Sequence, residues 1–419
     1  MSHRALDVRT VRRRFPGLLR QDGDRPAIFF DGPAGSQVPR SVAEAVSNYL
    51  LYDNANHGGD FATSHATDFM TRSARTAMAN FFRTASGDRE EIVFGPNMTT
   101  LTFHLSRALA RTWQPGDEVV VTASDHDANV MPWVLAARDA GCEVRELGVT
   151  PEGALDLDAL PGLLGPRTRL VAVGAASNLS GTIHDVAAVV RLAKAHDALT
   201  FVDAVHYAAH CRLDVAAWDA DFVACSAYKF FGPHAGILWG RRALLEELEA
   251  YKVRPADDTG AEKWQTGTAN FEAIAGTLAA VQYLEELGVE HATGMPEDER
   301  AALDLAFAVI GEHERELCAH LLRGLAEIPG TRVVGIADPE RVTERCATVS
   351  FTHTAKKPAA IAKELAQRQI HCWAGNSYAL ALSQALGLEP DGVVRLGLLH
   401  YATRAEVDTV LANLRELLA

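Results

Sequence analysis

The sequence predicts an α/β protein: a large domain built on a mostly parallel, seven-stranded sheet, followed by a smaller α+β C-terminal domain. Three observations carry that expectation. Between about residues 90 and 240, short β-rich apolar runs alternate with helical segments, the pattern of a parallel sheet covered by helices. After residue 300 the pattern changes to one long amphipathic stretch and then short, scattered strands. Between the two regimes lies Thr293-Gly294-Met295-Pro296-Glu297-Asp298-Glu299-Arg300, where Gly, Pro and a charge run mark a boundary.

Along the chain the strands of the large domain are expected at 91–94, 118–122, 143–147, 169–174, 199–203, 221–225 and 236–239. Apolar residues at helical spacing place helices at 131–140 and 186–196, and an apolar helical run covers 101–109. Beyond the boundary, 301–328 has the periodicity of a long amphipathic helix. Strands follow at 332–334, 348–351, 370–373 and 393–397, with helices near 358–367 and 404–418. The expected division is an N-terminal arm, 1–25, lying on the small domain, a large domain, 26–292, and a small domain, 293–419. No internal repeat or low-complexity segment interrupts it.

At 419 residues, with 48% hydrophobic and 22% charged side chains, the chain can bury a large core without disulfides or a structural metal. The balance of 40 basic and 54 acidic residues, net −14, argues against a nucleic-acid binder; the only dense basic cluster is Arg9 with Arg12, Arg13 and Arg14. No apolar stretch approaches the roughly 18 residues of a membrane span, and the N-terminal arginines precede no apolar segment. The protein is therefore expected to be cytoplasmic, with neither membrane nor nucleic acid as partner. Six cysteines, at 142, 211, 225, 318, 346 and 372, lie at least 14 residues apart. That spacing lacks a CxxC knuckle, so reduced thiols and no metal site are expected.

Ligands of open parallel sheets bind beyond the carboxyl ends of the strands. Five strand ends supply polar residues there. They are the turn Gly95-Pro96-Asn97-Met98-Thr99-Thr100, the pair Asp125-His126, Asn178, Asp203 with His206, and Ser226-Ala227-Tyr228-Lys229. The turn precedes an apolar helix, whose free N–H groups suit a phosphate; a plain N-cap role for Asn97 is the alternative. Lys229 follows its strand directly and is flanked by Tyr228, Phe230, Phe231 and Gly232-Pro233. Aromatic neighbours describe a desolvated site, where a lysine's pKa falls and its amine becomes nucleophilic; a lysine snorkelling from a loop is the competing account. Asp203 stands 26 residues upstream, at the end of the preceding strand. A carboxylate and a lysine converging on one pocket match pyridoxal phosphate, which needs a Schiff-base lysine and an acid to keep its pyridine nitrogen protonated.

At these residues the sequence resembles the class V aminotransferases of fold type I, and within them the cysteine desulfurase-like group. The resemblance runs from Phe29-Phe30-Asp31 to Arg395. It implies pyridoxal 5'-phosphate as cofactor, with Lys229 as the Schiff-base lysine in a Ser-x-His-Lys-like segment where Tyr228 replaces the usual histidine. By the same resemblance Asp203 partners the pyridine nitrogen, and His206 stands where desulfurases carry a glutamine near the phenolic oxygen. Asn178, in Ser177-Asn178-Leu179-Ser180-Gly181, matches the asparagine beside that oxygen. His126, in Asp125-His126-Asp127-Ala128-Asn129, matches the histidine that stacks on the ring. Asn97, Met98 and Ser226 fall at phosphate contacts, and Thr268 resembles the threonine that reaches the phosphate from a neighbouring subunit. A homodimer with shared active sites follows from that resemblance.

Arg395 lies in the apolar run Val393-Val394-Arg395-Leu396-Gly397, where an unpaired guanidinium is costly. The resemblance assigns it the substrate α-carboxylate; a structural salt bridge to Asp or Glu is the alternative. Desulfurases attack sulfur with a cysteine on a loop of the small domain. Here the matching stretch reads Trp373-Ala374-Gly375-Asn376-Ser377-Tyr378, which places Tyr378 at the nucleophile's position. Cys372, inside an apolar strand, is expected to be a buried structural thiol. Asn376, and His57 in the unusual segment Asn54-Ala55-Asn56-His57-Gly58-Gly59, are expected beside the substrate.

The expected activity is β-elimination on an S-substituted cysteine through an external aldimine, with Lys229 as base. A transaminase, an epimerase and a decarboxylating or oxidatively deaminating enzyme share the same early steps. A cofactor-bearing sulfur-transfer partner without catalysis is the non-enzymatic alternative.

Overall fold

The structure, a computed structural model, describes residues 2–23 and 25–419. Its central sheet has seven strands in the spatial order Ile92–Gly95, Gly236–Gly240, Phe222–Ser226, Leu199–Asp203, Thr168–Gly174, Glu118–Thr122 and Glu143–Leu147. The last five run parallel. Gly236–Gly240 is antiparallel to both of its neighbours. The sheet is thus mostly parallel, as the alternation of strands and helices predicts.

Alternate residues of these strands enter two different cores. Val120, Val171, Val173, Val202, Val223 and Ile237 face one side. Val119, Val121, Leu170, Ala172, Phe201, Phe222 and Leu238 face the other. Both faces are covered, which is why the strands are near-continuous apolar runs rather than alternating ones.

A second, antiparallel sheet forms the C-terminal domain in the order Thr331–Val334, Thr348–His353, Val393–Gly397 and Trp373–Gly375. Its core gathers Phe351, Val394 and Leu396 with Leu317, Leu321 and Leu325 of the helix Glu299–Ala326, Ile361 and Leu365 of Pro358–Gln367, and Val407, Val410, Leu411 and Leu414 of Arg404–Leu418. The long helix opens at Asp298, whose carboxylate accepts from the N–H of Ala301 at 2.8 Å. Asp298 belongs to the Gly/Pro/charge segment singled out in the sequence.

The expected strand at 370–373 is two strands. Ile370–His371 pairs in parallel with Ile28–Phe29, and Trp373–Gly375 joins the C-terminal sheet. Cys372 is the point of transfer, and its side chain is half-buried against the C-terminal core, where burial pushes the thiol up to about 12. Two 21-residue helices, Ala62–Phe82 and Phe271–His291, have no counterpart in the sequence reading. The first buries a face of small residues, Ala74, Ala77 and Ala79 with Ser64, Thr67 and Thr71; the second is apolar on nearly every side. Neither shows the sharp contrast of faces on which periodicity depends.

The N-terminal helix Val8–Arg13 is capped by Asp7, and Arg12 donates to the Tyr401 carbonyl at 2.7 Å and pairs with Glu406 at 2.9 Å. Arg14 reaches Glu286 at 3.5 Å. These two members of the basic cluster are spent on acidic neighbours. Among the described residues, no helix is long and apolar enough to cross a membrane.

Candidate active site

The five strand ends and the loop after Trp373–Gly375 converge on one cavity of about 990 Å³. From the large domain it receives Asn97, Met98, His126, Asn178, Asp203, His206, Ser226, Tyr228 and Lys229; from the C-terminal domain, Asn376, Tyr378 and Arg395. His57 and Thr268 do not line it. Both are exposed on the outer surface, where the His57 ring lies 6.0 Å from Phe271.

Lys229 sits in a short turn immediately after Phe222–Ser226 and donates to the Pro33 carbonyl. Its Nζ lies 4.8 Å from the centroid of Tyr228, whose ring stacks on His234 at 5.2 Å. Burial lowers the Lys229 amine to about 7, helped by the Arg395 charge and opposed by Asp203. The aromatic flank thus encloses a lysine whose neutral form is far more populated near neutral pH than in water.

Asp203 closes its strand with Oδ1 accepting from the N–H of Val205 at 2.8 Å. Burial raises its carboxyl to about 6. A second carboxylate, Asp125, lies beside it and is held by Thr122 Oγ1 at 2.9 Å and Asn129 Nδ2 at 3.0 Å. Burial, and then the Asp203 charge, push Asp125 well above the usual carboxylate range. Asp125 was visible at a strand end in the sequence but had no assigned role there; its partnership with Asp203 exists only in three dimensions.

His126 presents its ring to the cavity while Nδ1 accepts from the N–H of Ala128 at 3.0 Å. Burial, with the nearby Lys229 and Arg395 charges, lowers it to about 4, so the imidazole is neutral. His206 is also held well below its usual value, by burial and by His210. Two buried polar atoms on the wall, His206 Nε2 and Asn178 Oδ1, have no hydrogen-bond partner. An unpaired buried polar group is costly, and a polar ligand in the cavity relieves that cost.

At the cavity floor, Asn97 caps the helix Met98–Ala110, its Oδ1 accepting from the N–H of Thr100 at 2.8 Å. The side chain therefore does take the N-cap role. Ser226 Oγ accepts from the N–H of Met98 at 3.0 Å and ties the helix start to the lysine turn. The helix N-terminus and a hydroxyl thus meet at the position a phosphate requires.

Arg395 is only 5% exposed and donates from one terminal nitrogen to the Asn178 carbonyl at 2.9 Å. Its Nε has no partner. Among the described residues no ion pair to Arg395 is present within 4.0 Å, so the structural salt bridge considered from sequence is not formed. Burial lowers even this guanidinium to about 10, with Asp31 pulling it back. The site provides a buried cation that awaits an anion.

The loop Asn376-Ser377-Tyr378 crosses from the C-terminal domain onto the large one. Ser377 and Tyr378 both take left-handed backbone conformations, φ 53° and 61°, unfavourable for side chains of this kind. Three bonds hold the loop: the N–H of Asp127 to the Tyr378 carbonyl at 2.8 Å, Asn178 Nδ2 to the Ser377 carbonyl at 2.8 Å, and the N–H of Tyr378 to Asn376 Oδ1 at 3.1 Å. Asn376 also donates to Glu389 at 3.0 Å, so both ends of its amide serve the loop. Among the described residues, none that lines the cavity is a cysteine. Phe103 and Trp373 line the same space and were not foreseen as site residues.

The family model for Aminotransferase class-V matches residues 28–410. The chain belongs to the class V aminotransferase family. It is a pyridoxal-phosphate-dependent enzyme, with the cavity residues suited to that cofactor: a buried lysine of lowered basicity, a buried carboxyl, unpaired polar atoms and a helix start. A probable cysteine desulfurase of Streptomyces coelicolor is 31% identical to this class V chain over 429 residues, covering 98% of it and 96% of the relative. A probable cysteine desulfurase of Mycolicibacterium paratuberculosis is 30% identical, covering 99% of the chain; the chain spans 59% of that relative's length. Among solved structures, the cysteine desulfurase CsdA of Escherichia coli superposes with a TM-score of 0.84 at 26% identity, covering 99% and 100% of the two chains.

Proposed function

We propose that this class V enzyme is a carbon–sulfur lyase that eliminates the β-substituent of an S-substituted cysteine. The observation that carries the reading is the combination of an unpaired buried Arg395 with a cavity wall that has a phenol, Tyr378, and no thiol. A desulfurase must take sulfur onto a cysteine; a phenol cannot form a persulfide, yet it can give a proton to a leaving thiolate.

Pyridoxal phosphate, when bound, supplies a protonated pyridine ring that draws negative charge away from an amino acid's Cα. Lys229 would carry it, Asp203 would face its ring nitrogen with Asp125 supporting the carboxylate, and His126 would lie on its face. His206 and Asn178 would serve its phenolic oxygen. Asn97, Met98 and Ser226 would hold its phosphate, with Thr268 supplied by a second copy of the chain. A homodimer in which each copy completes the other's site, with His57 also contributed across the interface, accommodates the two residues that stand outside this copy's cavity.

Arg395 orients the substrate by a bidentate bond to its α-carboxylate. Lys229 Nζ, freed when the substrate's amine takes its place on the cofactor, would take the Cα proton. The Cβ–S bond then breaks, and the leaving thiolate takes a proton from Tyr378 Oη. Hydrolysis of the aminoacrylate product gives pyruvate and ammonia. We further propose that the arm 1–25 packs on the small domain 293–419, as the Arg12–Glu406 pair supports, that 26–292 is the large cofactor-binding domain, and that the enzyme is cytoplasmic.

The test is incubation of the holoenzyme with a panel of S-substituted cysteines and with free cysteine. Pyruvate and ammonia in equal amounts, lost in Lys229→Ala, are expected. Alanine with enzyme-bound sulfur would identify a desulfurase, and a keto acid retaining the sulfur substituent would identify a transaminase; either overturns the reading.

A further inference from the structure

Apart from the cofactor cavity, a pocket of about 40 Å³ lies where three parts of the chain meet. His210 and Cys211 come from the loop after the strand Leu199–Asp203, Glu314 and Cys318 from the helix Glu299–Ala326, and Cys346 from the segment leading into Thr348–His353. Cys211 and Cys346 face the same small space across this junction, near enough for each thiol to shift the other. Their separation of 135 positions in sequence gives no hint of that contact.

We propose that Cys211 and Cys346 are a peroxide-sensitive dithiol whose disulfide ties the large domain's sheet to the C-terminal domain. The two cysteines are set up unequally. Cys211 is half-buried and Cys346 buried. The neighbouring Cys346 thiol lowers the Cys211 thiol, against burial, with help from His210 and Arg315 and opposition from Glu314. The Cys211 thiol, and burial, push Cys346 well above its usual range. On His210, burial opposes charge, but Glu314, at 2.7 Å from Nδ1, prevails and keeps the imidazole more basic than usual. Cys211, the less buried and more acidic of the two, is thus the thiol that ionises first and attacks, and Cys346 the proton-bearing partner that resolves it.

The chemistry balances with a peroxide as oxidant. The Cys211 thiolate attacks one peroxide oxygen, the O–O bond breaks, and hydroxide leaves, giving a sulfenic acid. The Cys346 sulfur then attacks the Cys211 sulfur, forming S–S as S–O breaks; hydroxide leaves and takes the Cys346 proton as water. Two thiols are oxidised and hydrogen peroxide is reduced to two waters. A small-molecule dithiol reverses the step by exchange. Cys318 lines the same pocket, but burial pushes its thiol up, and the paired contact is between the other two.

The bond would join a loop that follows Asp203 and His206 to a segment two residues before the strand Thr348–His353, the direct neighbour of the strand that carries Arg395. Oxidation would therefore fix one wall of the cofactor cavity relative to the other. The site itself does not depend on which reaction the cavity performs.

The experiment treats holoenzyme with stoichiometric hydrogen peroxide, then measures intact mass and maps peptides without reduction. Expected are the loss of two hydrogen masses, a linked peptide pair containing Cys211 and Cys346, full recovery with dithiothreitol, and no loss of hydrogen in Cys211→Ser or, separately, Cys346→Ser. Each variant is first checked for native circular dichroism and bound cofactor. A linked pair involving Cys318, an unchanged mass, oxygen additions without a link, or hydrogen loss that persists in both serine variants would overturn the proposal.

Discussion

The phenol ring of Tyr378 lies across the imidazole of His126, with ring centroids 5.4 Å apart and planes 24° from parallel. The two residues come from different domains, and Tyr378 is 72% exposed, so the stack stands at the cavity's mouth rather than in a core. The backbone bond from the N–H of Asp127 to the Tyr378 carbonyl fixes the pair from beneath. If the hydroxyl is the proton donor to the leaving group, Tyr378→Phe preserves the stack and removes only the proton. Its kcat should fall about 10²-fold for substrates that expel an alkyl thiolate. For an aryl thiolate, a weaker base, the loss should be much smaller, and a panel of leaving groups measures the difference.

Arg395 is buried with its Nε unpaired, so its replacement should weaken binding of the carboxylate more than it harms the fold. Arg395→Lys keeps the charge but not the fork, and KM for the amino acid should rise about tenfold to a hundredfold, with kcat less affected. Steady-state kinetics beside the cofactor's absorption spectrum separates lost substrate affinity from lost cofactor.

The raised carboxyl of Asp203 implies a conflict between stability and function. Its pKa is near 4 in the unfolded chain and about 6 in the folded, cofactor-free protein. Below pH 4 the group is protonated in both states and costs nothing; the cost grows between pH 4 and 6 and is complete above that. Asp203→Asn should therefore stabilise the cofactor-free protein above pH 6, by roughly 3 kcal/mol at about 1.4 kcal/mol per pH unit, and lose that advantage below pH 4. Elimination should fall at least about 10²-fold in the same variant. Denaturant unfolding at pH 4 and 7.5 reads the first effect.

Lys229 gives the opposite pH window. Its amine titrates near 7 in the folded, cofactor-free protein, against about 10.4 when unfolded. Folding costs the most below pH 7, where the folded protein must lose or bury a charge that the unfolded chain keeps in water. The cost disappears as pH rises towards 10.4. Lys229→Met should be more stable than the parent at pH 7, with the gap closing by pH 10, and should give no pyruvate at any pH. Thermal unfolding across pH 6–10 checks the first statement.

Much of the arrangement could be read from one dimension because its causes are local. A strand buried on both faces must be an apolar run, so Glu118–Thr122, Leu199–Asp203 and Val393–Gly397 announce themselves. A strand end in such a sheet must offer its polar residue to the ligand crevice, which brought Asp203, His206, Ser226 and Lys229 into one expectation before any coordinates. The helices Ala62–Phe82 and Phe271–His291 escaped because burial against several neighbours removes the contrast between faces.

By itself, the sequence determined the strands of the central sheet, the polar residues at their carboxyl ends and the absence of a cysteine between Trp373 and Tyr378. Tertiary structure alone decided which of those residues face each other: the carboxyl pair of Asp125 and Asp203, the solitary burial of Arg395, the Tyr378–His126 stack and the contact of Cys211 with Cys346. The reason is physical. Secondary structure follows from interactions a few residues apart, whereas charge state, desolvation and thiol contact depend on groups that chain folding brings together from more than 70 positions away.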